Sequence, residues 1–196
     1  MRWEWALVTG PAIEPLGVDE AKLQARSTHA REDRLMYAWI SAARHEFEQY
    51  TQRAATTQTW KLQLSDWPER VALPMASPLQ SASVQYYNAA GTLTTLASSA
   101  YVVDTTSEPG ELSRAPNQAW PALQSDRLFR VVITYIAGWS SQAAIPEVVR
   151  LGMKLYVTAQ DMDRAGSTAD AKAARAAAQS CWAPWIRTCK PPAWSC

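Results

Sequence analysis

The sequence predicts an α+β fold: a helical core of about four helices, interrupted by a small antiparallel β region and followed by an extended C-terminal arm. Three observations predict it. Apolar residues recur at helical spacing before residue 52 and again after Pro146. At Thr56 the period changes to two, and the chain stays extended and turn-rich to about residue 140. The end, CWAPWIRTCKPPAWSC, carries too many prolines for a long helix. The expected segments are therefore an N-terminal arm over 1–17, a first helical half over 18–55, the inserted β region over 56–140, a second helical half over 141–166, and a C-terminal helix with an extended arm over 167–196.

In the N-terminal arm, MRWEWALVTGPAIEPLG, Pro11, Pro15 and Gly17 punctuate the chain. Trp3 and Trp5 either fold back on the domain or anchor in a partner's pockets. Asp19 and Glu20 then occupy the first turn of a short helix over 18–27, where acids favour a helix N-terminus. A stronger helix spans 30–52. Leu35, Met36, Trp39, Ile40, Ala43, Phe47 and Tyr50 form its apolar stripe, while Glu32, Asp33, Arg44, Glu46 and Glu48 take other faces.

In TTQTWKLQL, Trp60, Leu62 and Leu64 alternate with Lys61, Gln63 and Ser65, which marks a strand. The prolines of DWPERVALPMASPL divide the next stretch into short extended pieces. SASVQYYN, the turn NAAG with Gly91 free to adopt positive φ, and TLTTL form a hairpin. AYVVD is another strand, and TTSEPGELSRAPNQAWP is a loop with turns at Pro109-Gly110 and Pro116. LFRVVITYIAGW is the most β-branched run and closes the region.

Helix resumes at Pro146, a residue suited to the first helical position. Val148, Val149, Leu151, Leu155, Tyr156, Ala159 and Met162 make a second stripe that ends at Gly166. The expected core pairs Leu35, Trp39, Ile40 and Phe47 with Val148, Leu151, Leu155 and Ala159. STADAKAARAAAQS is a further helix with little apolar bulk, so its stability depends on what it packs against.

With 47% apolar residues, a chain of 196 residues can bury a sizeable core. The formal charge of +1 gives no net attraction to nucleic acid. No apolar run reaches signal-peptide or bilayer-spanning length, which predicts a protein made and kept in a cytoplasm-like space, without a membrane partner. Cys181, Cys189 and Cys196 are read as reduced thiols: their spacing lacks the close pair that zinc sites use, and no metal or other cofactor is expected. Asp161, Asp163 and Asp170 lie on predicted helices without a calcium-binding loop. His29 and His45 have no adjacent nucleophile, and no phosphate loop, zinc-protease or nucleophile-elbow string is present, so no catalytic residue is assigned. The C-terminal third is basic, with Arg164, Lys172, Arg175, Arg187 and Lys190 against Asp170. Interleaved with Trp182, Trp185 and Trp194, this pattern suits a protein groove, or bases stacked on indoles.

The strings EPLGVDEAKLQARSTHAREDRLMYAWISAARHEFEQYTQRAATTQTWKLQLSDWP, LPMASPLQSASVQYYNAAGTLTTL, YVVDTTSEPGEL, FRVVITYIAGW and IPEVVRLGMKLYVT, in this order over about residues 12–160, resemble the head-tail connector (adaptor) proteins of tailed phages, a family that includes gene-transfer-agent adaptors. The resemblance implies a structural virion protein of the neck, present in the host cytoplasm before assembly. It implies a twelve-subunit ring that docks below the portal protein, contacts neighbouring copies and the next neck or tail protein (a stopper or tail-completion protein), and lets DNA pass without reading its sequence. It implies no enzyme activity.

The Cys- and Trp-rich end departs from the family pattern. In this setting the arm from about Thr168 is expected to leave its domain and bind the portal. Trp182, Trp185, Ile186 and Trp194 are its anchors, and Arg175, Arg187 and Lys190 are its cationic partners for acids. Tyr87, Trp120 and Trp139 are candidates for the subunit or neck interface. The competing reading is a small ligand- or carbohydrate-binding β module with helical flanks, in which exposed Trp and Tyr stack on sugars.

Overall fold

Helix-forming and strand-forming sequence separate into two units in the computed structural model, which describes residues 1–26 and 32–187. One unit comprises 12–56 and 139–186; the other comprises 1–11, 57–138 and the chain from Arg187. Helices and strands together make the fold α+β.

The helical unit contains α1 (Val18–Ala25), α2 (Asp33–Thr51), α3 (Glu147–Arg164) and α4 (Thr168–Trp182). Its core gathers Met36, Ile40, Ala43 and Phe47 of α2, Val149, Met153 and Val157 of α3, and Ala178 and Trp182 of α4. Trp39 and Leu155 are partly buried against this cluster, and Leu35 is half-buried. Val148 and Leu151 are not core residues: they are 51% and 42% exposed. The reason lies at Gly152. A Cβ built there would fall 2.2 Å from Nε1 of Trp182, so only a glycine leaves room for this indole. The position of Gly152 decides which of the two apolar stripes of α3 is covered, and Val149, Met153 and Val157 turn inward with it.

The Ala-rich α4 therefore docks on α3 instead of leaving the domain. Trp182 is fully buried, and its Nε1–H donates to the carbonyl of Val149 at 3.1 Å. Phe47 meets the indole edge-on, with ring centroids 5.7 Å apart, and Tyr50 and Tyr156 lie at 6.4 Å. Ion pairs tie α1 to α3: Glu20 holds Lys154 at 2.6 Å and Arg150 at 2.5 Å. Arg44 bridges Glu14 at 2.9 Å and Glu48 at 3.0 Å, and Glu48 accepts the amide of Ala55. That buried carboxylate caps the end of α2 against the turn that follows it.

Among the described residues, the second unit has eight strands: β1 (Trp3–Thr9), β2 (Gln58–Leu64), β3 (Arg70–Ala72), β4 (Leu79–Tyr87), β5 (Leu93–Thr95), β6 (Tyr101–Asp104), β7 (Glu111–Arg114) and β8 (Val131–Ala137). They form a five-stranded antiparallel sheet of order β1-β2-β8-β4-β5 and a three-stranded sheet of order β3-β7-β6. Two strands differ from expectation. The N-terminal arm is itself a strand, with Trp5 packed 5.1 Å from Trp60, and β7 occupies what reads as loop.

In β2 and β8, buried and half-buried residues alternate, and Trp60, Leu62 and Leu64 pair with Tyr135, Ile133 and Val131 on the apolar face. Lys61, Gln63 and Thr134 take the opposite face, the one-sided pattern of an antiparallel sheet. The Tyr135 hydroxyl donates to the carbonyl of Pro74 at 2.7 Å, and burial pushes its pKa up, so it stays a neutral donor. Gly110 lies so close to Leu79 that a Cβ would sit 2.4 Å from Leu79 Cβ.

Replacing Trp182 with Ala is expected to lower unfolding stability by about 3–5 kcal/mol, the range for a fully buried large aromatic. Gly152→Ala should cost about 1–3 kcal/mol by overpacking the same space. Denaturant midpoints measure both; an unchanged midpoint for either variant contradicts the docking of α4.

Candidate functional site

Pro68 and Pro121 position the aromatic cluster of the β unit. Trp67 and Trp120 stack face to face, with centroids 4.5 Å apart and planes 6° from parallel. Each indole is pinned to backbone: Trp67 Nε1–H donates to the Pro121 carbonyl at 2.8 Å, and Trp120 Nε1–H to that of Pro68 at 3.0 Å. Tyr86 packs on Trp67 at 5.5 Å. Trp120 is thus engaged within its own unit, where it closes the 115–124 loop onto the stretch between β2 and β3. Tyr87 is half-buried, with the Arg127 guanidinium 3.6 Å above its ring.

The helical unit places the other candidates in a second aromatic group. Trp139 packs against Phe47 at 6.3 Å and meets Trp185 edge-on at 5.9 Å. Arg53 donates to the Trp185 carbonyl at 2.6 Å, with its guanidinium 5.5 Å from the Trp185 ring. Arg175 is ion-paired with Asp163 at 3.2 Å across the α3–α4 hairpin. Trp182 and Trp185 therefore pack within this chain's own helical unit, in contrast to the expected portal-docking arm, while Arg175 stays partly exposed. Ile186 is exposed, while Arg187 is buried in the β unit and donates to the Leu73 carbonyl at 3.4 Å. Lys190 and Trp194, like Cys189, Cys196 and His29, lie outside the described residues.

Among the described residues, no reacting groups are gathered in one place. His45 is exposed on α2, and no group of three metal-binding side chains forms among the described residues. The carboxyl of Asp104, which ends β6, is strongly perturbed. The side chains and amides of Ser107 and Thr106 donate to it and hold its pKa well below the usual carboxylate range. It organises the loop to β7. No described helix is long and apolar enough to cross a membrane.

The surface that sequence reasoning missed is the first strand. β1 lies at the edge of the five-stranded sheet, and Trp3, Leu7 and Val8 on it are 41%, 47% and 55% exposed. Its alternation of Trp3, Trp5, Leu7 against Glu4 and Ala6 is the period-two signal of a strand.

No protein-family model and no curated protein matches the sequence. Solved structures do share the fold. A chain in the neck of an empty gene transfer agent particle, computed with C6 symmetry, is similar at a TM-score of 0.67 and 22% identity over 79% of this chain and 82% of that one. A chain of the native gene transfer agent virion gives 0.66 and 22% over 79% and 81%. A chain in the neck of the native particle, computed with C12 symmetry, gives 0.59 and 22% over 87% and 94%.

Trp120→Ala is expected to cost the isolated protein about 1–3 kcal/mol, from the lost stack and burial. A residue held for a partner alone would leave the urea midpoint unmoved. For Asp104 the sign follows from a folded pKa below the unfolded one: its contribution is present above the ordinary value and lost only as pH falls through the depressed one. The amides of Thr106 and Ser107 should stay protected from exchange at about pH 3.9, where an ordinary aspartate is half protonated.

Proposed function

We propose that this chain is a non-enzymatic structural subunit of a virion neck, a head-tail adaptor. It forms a ring below the portal, joins the DNA-filled head to the next neck or tail protein, and encloses part of the DNA channel. The observation that carries this reading is the shared fold over 79–87% of the chain with gene transfer agent neck and virion chains, one of them from a neck computed with C12 symmetry. The C12 symmetry of that neck supports the reading of a ring of twelve copies. The two built aromatic groups agree with a structural role. The carbohydrate-module reading needs an open aromatic platform, whereas Trp67 and Trp120 cover each other.

Within this reading the portal-docking segment is shorter than the sequence suggests. Trp182 and Trp185 are held by the helical unit, and Arg187 by the β unit, which leaves Ile186, Lys190 and Trp194 as the arm's candidate contacts. Tyr87 and Trp139 remain proposed interface residues only through whatever face each leaves open. DNA would pass unread, because sequence readout needs side chains set against base edges.

Co-expression with the cognate portal, followed by electron microscopy, tests the function: rings of this chain capping portals are expected. Portals that stay bare would overturn the assignment. Deleting 188–196 should leave the melting temperature unchanged and abolish portal binding. Full binding by the truncated chain assigns docking to the folded body instead.

A further inference from the structure

A sheet edge is a row of backbone donors and acceptors, and natural proteins guard such edges with Lys, Pro, bulges or a covering element. β1 is poorly guarded. Its side away from β2 pairs with no strand among the described residues, and its exposed side chains include Trp3, Leu7 and Val8. Its devices are the exposed charge of Glu4 and a register irregularity between Leu7 and Thr9. Both ends of the strand are fixed, so it is no loose tail: the Arg2 amide donates to Ser65 Oγ at 2.8 Å, and β1 runs in register with β2 from Trp3 to Leu7.

Whatever covers β1 must itself bring an open, extended backbone. This chain carries one at the far side of the same sheet. Among the described residues β5 pairs with β4 alone, and Leu93 on it is 44% exposed. The two edges are unlike, so joining one to the other is a head-to-tail contact, the kind that repeats around a closed ring. Strand direction agrees. All four pairings of the five-stranded sheet are antiparallel, so β1 and β5 run the same way. With the sheet's own twist taken up between the subunits, neighbours in a ring keep that sense, and the new pair would be parallel, a permitted geometry.

We infer that β1 of one copy pairs with β5 of the next, so that the five-stranded sheet continues from subunit to subunit around the ring. This rests on the proposed adaptor function and names the lateral contact within it. The apolar face then gains continuity: Trp3, Trp5 and Leu7, which lie on the same face as Leu64, Leu62 and Trp60, extend toward the neighbour's Thr94, which shares the face of Tyr86.

The test uses the full chain, free and assembled on portals, with amide hydrogen exchange and electron microscopy as readouts. In the wild type, the amides of 3–9 that point away from β2 and those of 93–95 that point away from β4 should exchange faster in the free chain and become protected together in the ring. A double variant, Leu7→Lys with Val8→Lys, and a separate Leu93→Lys variant put charge on exposed positions of each edge. Each should keep the wild-type melting temperature and lose complete rings. Rings that persist in both variants overturn the inference. So does loss confined to the β1 variant, which would mean that β1 meets another surface, such as a different neck protein. If wild-type chain forms no ring on portals, the adaptor reading fails and this contact falls with it; if wild-type rings form while the outward amides of 3–9 stay unprotected, only the contact fails.

Discussion

The indole of Trp182 occupies a space that exists because residue 152 has no side chain. The rest of the helical unit follows from that fit. α4 is built largely of alanine and has no other large side chain to bury, so one residue at its C-terminal end supplies most of its apolar contact. The indole reaches Phe47 and Tyr50 on α2 and Tyr156 on α3, and its N–H satisfies the carbonyl of Val149 in a place where an unpaired donor would be costly. Three helices thus share one side chain. The same fit fixes the rotation of α3, which is why Val148 and Leu151 are left on the surface although their spacing is that of a core stripe.

The β unit is limited by where its chain enters and leaves. β2 and β8, the strands at the two ends of the 57–138 stretch, are direct neighbours, paired from Gln58 with Ala137 to Leu64 with Val131. In the helical unit, Thr56 and Trp139 form an isolated bridge. A long insertion whose ends meet in this way adds little closure cost to the helices it interrupts, since loop entropy grows only slowly with length. That answers why a strand-rich stretch can sit inside helical sequence. β1 then adds to this sheet from the other end of the chain, outside β2, and becomes its edge.

Much of this was legible in the residues. The change of period at Thr56, the alternation around Trp60 and Val84, the turn at Gly91 and the helical stripes on α2 and α3 correspond to elements of the structure. The failures have physical causes. β1 was hidden by its tryptophans, which look like anchors in a flexible end, although Trp3, Trp5 and Leu7 alternate as a strand should. β7 has only four residues between turn signals. The side of α3 that docks could not be read from periodicity because the helix is apolar on two faces, and the deciding residue, Gly152, is a gap and not a hydrophobe. Trp182 read as part of a tail because the prolines after it suggest extension, yet α4 runs up to it.

The tryptophans carry the wider lesson about this chain. Trp60, Trp67, Trp120, Trp139, Trp182 and Trp185 are all engaged by rings or backbone of their own unit. An aromatic-rich sequence suggests partner-binding anchors, but here most of that aromatic surface builds the two cores. If the chain works as the proposed neck subunit, it has to meet its neighbours with what remains: exposed aliphatic residues, charged helix faces and the hydrogen-bonding edge of a sheet. Edge pairing is made by main-chain groups, which every residue except proline carries, so it constrains side chains only through their alternation and bulk. Such a contact can persist while the sequence drifts. That is consistent with a fold shared at 22% identity with neck chains whose particles were computed with C6 and C12 symmetry, and it explains why the surface on which proposed ring formation would depend leaves so faint a mark in the sequence.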